Sequence, residues 1–190
     1  MDHCFCQFLA LLMSHRRREN HRQRGAIQPL TCTRPLKERK MSERIDYTQV
    51  APAGMKALGG VYNYVAQCGL PQDLIELVFL RVSEINGCAY CIDMHTKALH
   101  KGGLPWDKIV LTQVWREAGD WFTSREKAAL AWAESLTLIA QTHAPDAVFA
   151  EVEAAFSEKE ISDMTIAIGL MNAYNRLAIS HRKLPDSAPR

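Results

Sequence analysis

No apolar run in this chain approaches the ~20 residues a helix needs to cross a bilayer, which argues against a helical membrane protein. The stretch Phe8-Leu9-Ala10-Leu11-Leu12-Met13 is short, with no basic residue before it and no small-residue cleavage site after it, so no secretory leader is expected. Strand-like alternation is nearly absent from about residue 48 onward, which argues against a β architecture. A large excess of one charge is missing as well: the net charge is +2. That balance hides an asymmetry. Residues 1–40 carry nine Lys and Arg against Asp2, Glu19 and Glu38, leaving 14 basic and 18 acidic side chains for the other 150 residues. The larger part is therefore mildly acidic and gives no support to nucleic-acid binding.

What is present fits one domain with one solid core: 190 residues, 47% hydrophobic and 23% charged. Residues 1–40 stand apart. They are Arg-rich, interrupted by Pro29 and Pro35, and lack a sustained amphipathic stripe, which reads as a disordered tail. Met41-Ser42-Glu43-Arg44-Ile45 has the form of a translation start, so the tail can equally reflect start-site assignment, and the expected domain runs 41–190. An anion-binding arm built on Arg16, Arg17 and Arg18 is the functional alternative; Cys4, Cys6 and Cys32 in this tail lack zinc-knuckle spacing and read as incidental thiols.

Helical periodicity organises the remainder. Met55, Leu58, Val61, Tyr62 and Val65 form a stripe that ends at Gly69, and Pro71 suits the first turn of the next helix. That helix, with Leu74, Leu77, Val78, Val82 and Ile85, breaks at Asn86-Gly87. A third begins around Cys88 and stops at Gly102-Gly103; a fourth opens at Pro105 and runs past Trp115 to Gly119. Thr123-x-x-Glu126 caps a helix reaching about Gln141, a shorter one follows Pro145, and Ser157-x-x-Glu160 caps the last. The expectation is an all-α bundle of about seven helices.

The chemistry concentrates at Cys88-Ala89-Tyr90-Cys91-Ile92-Asp93-Met94-His95. Two cysteines three apart at a helix start share a face and can close a disulfide. The exposed N–H groups and positive dipole end there favour a thiolate. His95, four residues after Cys91, stacks one turn along, where it could bond the thiolate or relay a proton. A structural zinc site would need a fourth ligand beyond Cys88, Cys91 and His95, with Glu76 available. Covalent haem attachment would need His where Ile92 stands. Two core cysteines beside a satisfied histidine is the remaining reading. A dithiol in a chain of this kind points to a reducing, cytoplasmic setting.

The stretch Arg81-Val82-Ser83-x-Ile85-Asn86-Gly87-Cys88-x-Tyr90-Cys91-x-Asp93-Met94-His95, with Asn172-Ala173-Tyr174-Asn175-Arg176-Leu177-Ala178-Ile179 near the end, resembles the AhpD-like branch of the carboxymuconolactone decarboxylase family over roughly residues 43–182. The resemblance implies an all-helical fold and a thiol-dependent alkyl hydroperoxide reductase that needs no cofactor or metal. It implies that Cys91 becomes the sulfenic acid, Cys88 resolves it, and Glu76 and His95 relay protons. It further implies a lipoyl-type or thioredoxin-like dithiol reductant and assembly into homo-trimers or hexamers. One relay position departs from the best-known members: Tyr90 stands where they carry His, and a phenol ionises near ~10, so it is a weak base at neutral pH. A dithiol sensor or partner protein without rapid turnover is the alternative. Lactone decarboxylation, which needs no C-x-x-C, is the lesser one. Glu84 reads as a solvated or capping group; His100, His143 and His181 as surface residues; Trp106, Trp115, Trp121 and Trp132 as core or interface; and Cys68 as a small buried hydrophobe.

Overall fold

A computed structural model describes residues 42–189. The basic segment 1–40, with its expected disorder, its arginine arm and its three cysteines, lies outside the described residues. Among those described there are no strands. The chain runs through α1 (Tyr47–Val50), α2 (Pro52–Val65), α3 (Gln72–Asn86), α4 (Ala89–Lys101) and α5 (Trp106–Leu111), then two 3₁₀ turns. It continues through α6 (Ser124–Thr137), α7 (Ile139–Thr142), α8 (Asp146–Glu153) and α9 (Glu158–His181). The seven expected helices are α2–α6, α8 and α9; α1 and α7 are single turns that periodicity cannot register.

The all-α expectation holds, and the differences lie at helix ends. Pro71 is the extended residue before α3 rather than part of its first turn. The helix opened at Pro105 tightens into a 3₁₀ segment at Thr112–Glu117, where Val114 leaves helical geometry at φ −127°. The helix expected to reach Gln141 stops at Thr137 because Leu138 turns out of it (φ −100°, ψ 30°). Both capping boxes form: Thr123 with Glu126, and Ser157 with Glu160.

Helix α3 is the central element. Leu77, Phe79 and Val82 are fully buried, and Leu74, Ile75, Val78 and Leu80 nearly so. Its contacts run to α4, α6 and α9. One apolar cluster joins α3 to α6, α8 and α9 through Phe79, Ala129, Val152, Met164 and Ile168; a second joins Leu77 and Leu80 to Leu99, Ile109, Trp115 and Leu130. A helix buried on nearly every side has little polar surface to spare, so each polar residue it carries needs a partner. Before α1, residues 42–46 cross the end of α9. Arg44 donates its backbone N–H to the carbonyl of His181 (2.9 Å), and the Tyr47 ring lies 5.3 Å from the His181 ring. His181, expected at the surface, is thereby half-buried.

Trp115 and Trp132 are buried, whereas Trp106 and Trp121 are exposed. Cys68 is a half-buried free thiol beside the first cluster. Among the described residues no helix is long and apolar enough to cross a membrane.

Candidate functional site

The break at Asn86-Gly87 is what delivers the dithiol. Gly87 closes α3 in the left-handed region (φ 71°), where a side chain would be strained. The N–H of Gly87 bonds to the Glu84 carbonyl (3.1 Å) and that of Cys88 to the Ser83 carbonyl (2.9 Å). The chain thus reverses within one residue, and Cys88 becomes the N-cap of α4. Its Sγ accepts from the Cys91 N–H at 3.4 Å. The Cα atoms of Cys88 and Cys91 lie 5.4 Å apart and the two are joined as a disulfide, within the usual span for such a bond. Both are buried.

The two sulfurs are not equivalent. Cys91 lines a cavity of about 360 Å³ bounded by residues of α1, α2, α3, α4 and α9, together with Glu76, Tyr90 and His95. Cys88 does not contribute to that lining; its sulfur sits on the capping N–H. Four of the five expected site residues therefore share one cavity, with the fifth directly behind.

The proton-handling residues pair differently from the direct arrangement drawn from spacing. His95 Nδ1 meets Glu76 Oε2 at 2.7 Å, and no hydrogen bond joins His95 to either sulfur of the disulfide. Glu76 Oε1 accepts from Gln72 Nε2 at 3.1 Å. Both members of the pair are buried, so Glu76 is not the surface residue that its helix alone would have allowed. With Glu76 ionised, Nδ1 carries the proton and donates. Nε2 is then the ring nitrogen left to face the cavity side. Nε2 is buried and has no partner. The ring is held from one side by Phe79, 5.3 Å between centroids. Glu76 thus holds the imidazole in place through Nδ1, between the carboxylate and the Phe79 ring.

Tyr90 is half-buried on the cavity wall, and Lys183 Nζ lies 5.9 Å from its ring centroid. Burial pushes the hydroxyl ionisation of Tyr47, Tyr62 and Tyr174 above the ordinary phenol value, so all three remain neutral donors near pH 7. Glu84 is not solvated. It is half-buried beside Arg81 (3.0 Å), and burial, opposed by that guanidinium, pushes its carboxyl up to about 7. Arg81 also reaches Glu134 at 2.7 Å.

A second polar group escaped sequence reasoning. Asn175 is fully buried; its side chain donates to Ser83 Oγ (3.1 Å) and accepts from Asn86 Nδ2 (2.9 Å), while Asn86 Nδ2 also reaches Asn172 (3.0 Å). This network pins the end of α3, two residues before Cys88, to α9. The signal was readable in principle. Asn175 falls in step with Met164, Ile168, Met171 and Ala178, and an amide in an apolar stripe implies a partner. Among the described residues, no three of His, Cys, Asp and Glu gather as metal ligands, and the zinc alternative finds its sulfurs bonded to each other and Nδ1 taken by Glu76.

The model of the carboxymuconolactone decarboxylase family matches residues 52–135. The uncharacterised protein YdfG of Bacillus subtilis is 36% identical over 140 residues, covering 74% of this chain and 95% of its own. The chain belongs to the carboxymuconolactone decarboxylase family. A crystal structure from Agrobacterium tumefaciens, of a protein of unknown function suggested to be an AhpD of antioxidant defence, superposes with a TM-score of 0.75 at 41% identity. It matches 77% of this chain and all of its own. The alkyl hydroperoxide reductase AhpD of Rhizorhabdus wittichii is 43% identical over 47 residues, a quarter of this chain and 27% of that one. Within the family, then, the likeness is to AhpD-like members.

Proposed function

We propose that this chain is a thiol-dependent reductase of organic hydroperoxides. The observation that carries the reading is the asymmetry of the dithiol: Cys91 faces a cavity large enough for an organic molecule, and Cys88 waits behind it at bonding distance. The AhpD-like relatives support the same reading.

In the reduced protein, His95 Nε2 takes the thiol proton of Cys91, with Glu76 stabilising the imidazolium. The Cys91 thiolate attacks the terminal oxygen of ROOH. The O–O bond breaks, Cys91 becomes a sulfenic acid, and the departing alkoxide takes a proton to leave as ROH. The imidazolium or the Tyr90 hydroxyl, both on the cavity wall, supplies that proton. Cys88, whose ionisation the helix N-terminus favours, then attacks the Cys91 sulfur; the S–S bond forms as the S–OH bond breaks, and the proton given up by the Cys88 thiol leaves with the hydroxide as water. An external dithiol, lipoyl-type or thioredoxin-like, reduces the disulfide and is itself oxidised. The sum is ROOH plus a dithiol giving ROH, water and a disulfide. Assembly into a homo-trimer or hexamer belongs to the same reading.

The decisive experiment follows peroxide consumption with a panel of dithiol reductants on the wild type, Cys91→Ser and Cys88→Ser. Turnover is expected only in the wild type, with Cys88→Ser completing a single oxidation that a sulfenic-acid reagent traps. Full activity in Cys91→Ser would overturn the proposal. Oxidation of both thiols without sustained turnover under any reductant would favour a dithiol sensor.

A further inference from the structure

The cavity in front of Cys91 has a composition that the redox chemistry alone does not require. Four tyrosines line it, Tyr47, Tyr62, Tyr90 and Tyr174, together with Met55, Met94 and Met171. Peroxide cleavage needs a thiolate and a proton source; it does not need four phenol rings. Hydrogen peroxide is scarcely larger than water, which occupies about 30 Å³, so a 360 Å³ space is far too roomy to grip it.

The charge of the lining is equally one-sided. Glu76 is its one carboxylate, and no Lys or Arg belongs to it among the described residues. Lys183, over the face of Tyr90, is paired with Glu43 at 3.5 Å and is not part of the wall. A carboxylate-bearing substrate would bring a second negative charge toward Glu76, whose own partner His95 is already engaged with it, and no Lys or Arg on the wall would meet that charge. Such juxtaposition is a device for rejecting ligands as well as a cost.

The rings are also placed to recognise a planar group. Tyr62 lies 6.5 Å from Phe79 between centroids at 27°, close to parallel, and it is partly exposed at the cavity while Phe79 behind it is fully buried. Tyr174 faces the same space from α9. Aromatic side chains in such offset arrangements bind a further ring by stacking or edge contacts, and methionine sulfur packs well against ring edges.

We infer that the cavity selects uncharged aryl hydroperoxides over carboxylate-bearing ones and over hydrogen peroxide, and that Tyr62 and Tyr174 are its specificity-determining residues. The inference rests on the hydroperoxide-reductase reading for its chemistry, but the shape and charge of the cavity stand without it.

The test has a kinetic and a non-kinetic arm. The first compares kcat/KM for cumene hydroperoxide, its para-carboxylate analogue and hydrogen peroxide. The neutral aryl compound is expected to lead each of the others by at least tenfold. Tyr62→Leu and Tyr174→Leu are expected to lower kcat/KM for cumene hydroperoxide about tenfold, mainly through KM. Tyr62→Phe, which keeps the ring, is expected to retain most of the preference, and thermal melts check that each variant is folded. The second arm follows alkylation of the reduced protein by iodoacetamide, with and without the product alcohol 2-phenyl-2-propanol or its para-carboxylate. Protection by the neutral alcohol alone supports the inference. Equal kinetics for the neutral and carboxylated peroxides, or equal protection by the two alcohols, overturns it. If no peroxide turns over yet the neutral alcohol still protects selectively, the reductase reading fails and the cavity's selectivity survives.

Discussion

The Glu76–His95 pair makes the most demanding prediction, because one geometric fact bears on both stability and chemistry. Nδ1 and Oε2 are 2.7 Å apart, with side-chain exposures of 3% and 10%. Hydrogen bonds to charged groups contribute about 1.5–3 kcal/mol, against about 1 kcal/mol for a neutral pair. A double-mutant cycle of Glu76→Gln, His95→Gln and the double variant, measured by urea denaturation of the oxidised protein at pH 7, should return a coupling energy of about 1.5–3 kcal/mol. Because the pair is shielded from solvent, this coupling should change little between 0.05 and 0.5 M salt, where an exposed pair would be screened. In the same variants, reduced and mixed with cumene hydroperoxide, the rate of thiol oxidation at pH 7 should fall by roughly 10²–10⁴-fold with His95→Gln, the usual scale of general acid–base assistance. That deficit should shrink toward pH 9, since an ordinary thiol ionises unaided near ~8.5. A coupling below about 0.5 kcal/mol, or a deficit that does not depend on pH, would refute the assignment of His95 as a proton acceptor set by Glu76.

Three further outcomes follow from the surrounding structure. Gly87→Ala should destabilise the protein by about 1–2 kcal/mol, the cost of a left-handed residue with a side chain; nothing stands within 4 Å of the added carbon, so a larger loss in a denaturation curve would contradict the purely conformational account. Asn175→Ala should cost about 2–3 kcal/mol by leaving Ser83 and Asn86 short of a partner, and an unchanged melting temperature would show that the network is dispensable. Glu84, pushed up to about 7 from an ordinary 4.5, holds a proton in the native state that the unfolded chain has already lost between those values. Stability should therefore fall as pH rises from about 4.5 through 7, and Glu84→Gln should flatten that slope in denaturation curves at pH 5 and pH 8. Parallel pH dependence in wild type and variant would refute it.

Much of this protein is local in origin, and local features are legible in a sequence. The seven substantial helices follow from apolar periodicity. Their starts follow from Thr123-x-x-Glu126 and Ser157-x-x-Glu160, and the turn before the dithiol follows from Asn86-Gly87, because caps and left-handed residues act within a few positions. The Cys88–Cys91 disulfide geometry is local in the same sense: three residues along one helix start bring the sulfurs within reach whatever else the chain does. Helix ends that depend on packing, such as the kink at Val114 and the stop at Leu138, were not legible.

Tertiary structure alone decided what surrounds that dithiol. Spacing placed His95 beside Cys91; only the docking of α3 against α4 turned its Nδ1 to Glu76, nineteen residues away, and left Nε2 free. Spacing could not say that Cys91, and not Cys88, lines the cavity, nor that tyrosines from α1, α2, α4 and α9 converge there. Those residues lie far apart along the chain, and no pattern within one helix encodes which neighbour its face will meet. The sequence by itself determined that this protein is helical and carries a dithiol at a helix start. Packing among helices determined which sulfur meets a ligand and what kind of ligand the cavity can hold, because burial, charge and shape are properties of several segments brought together.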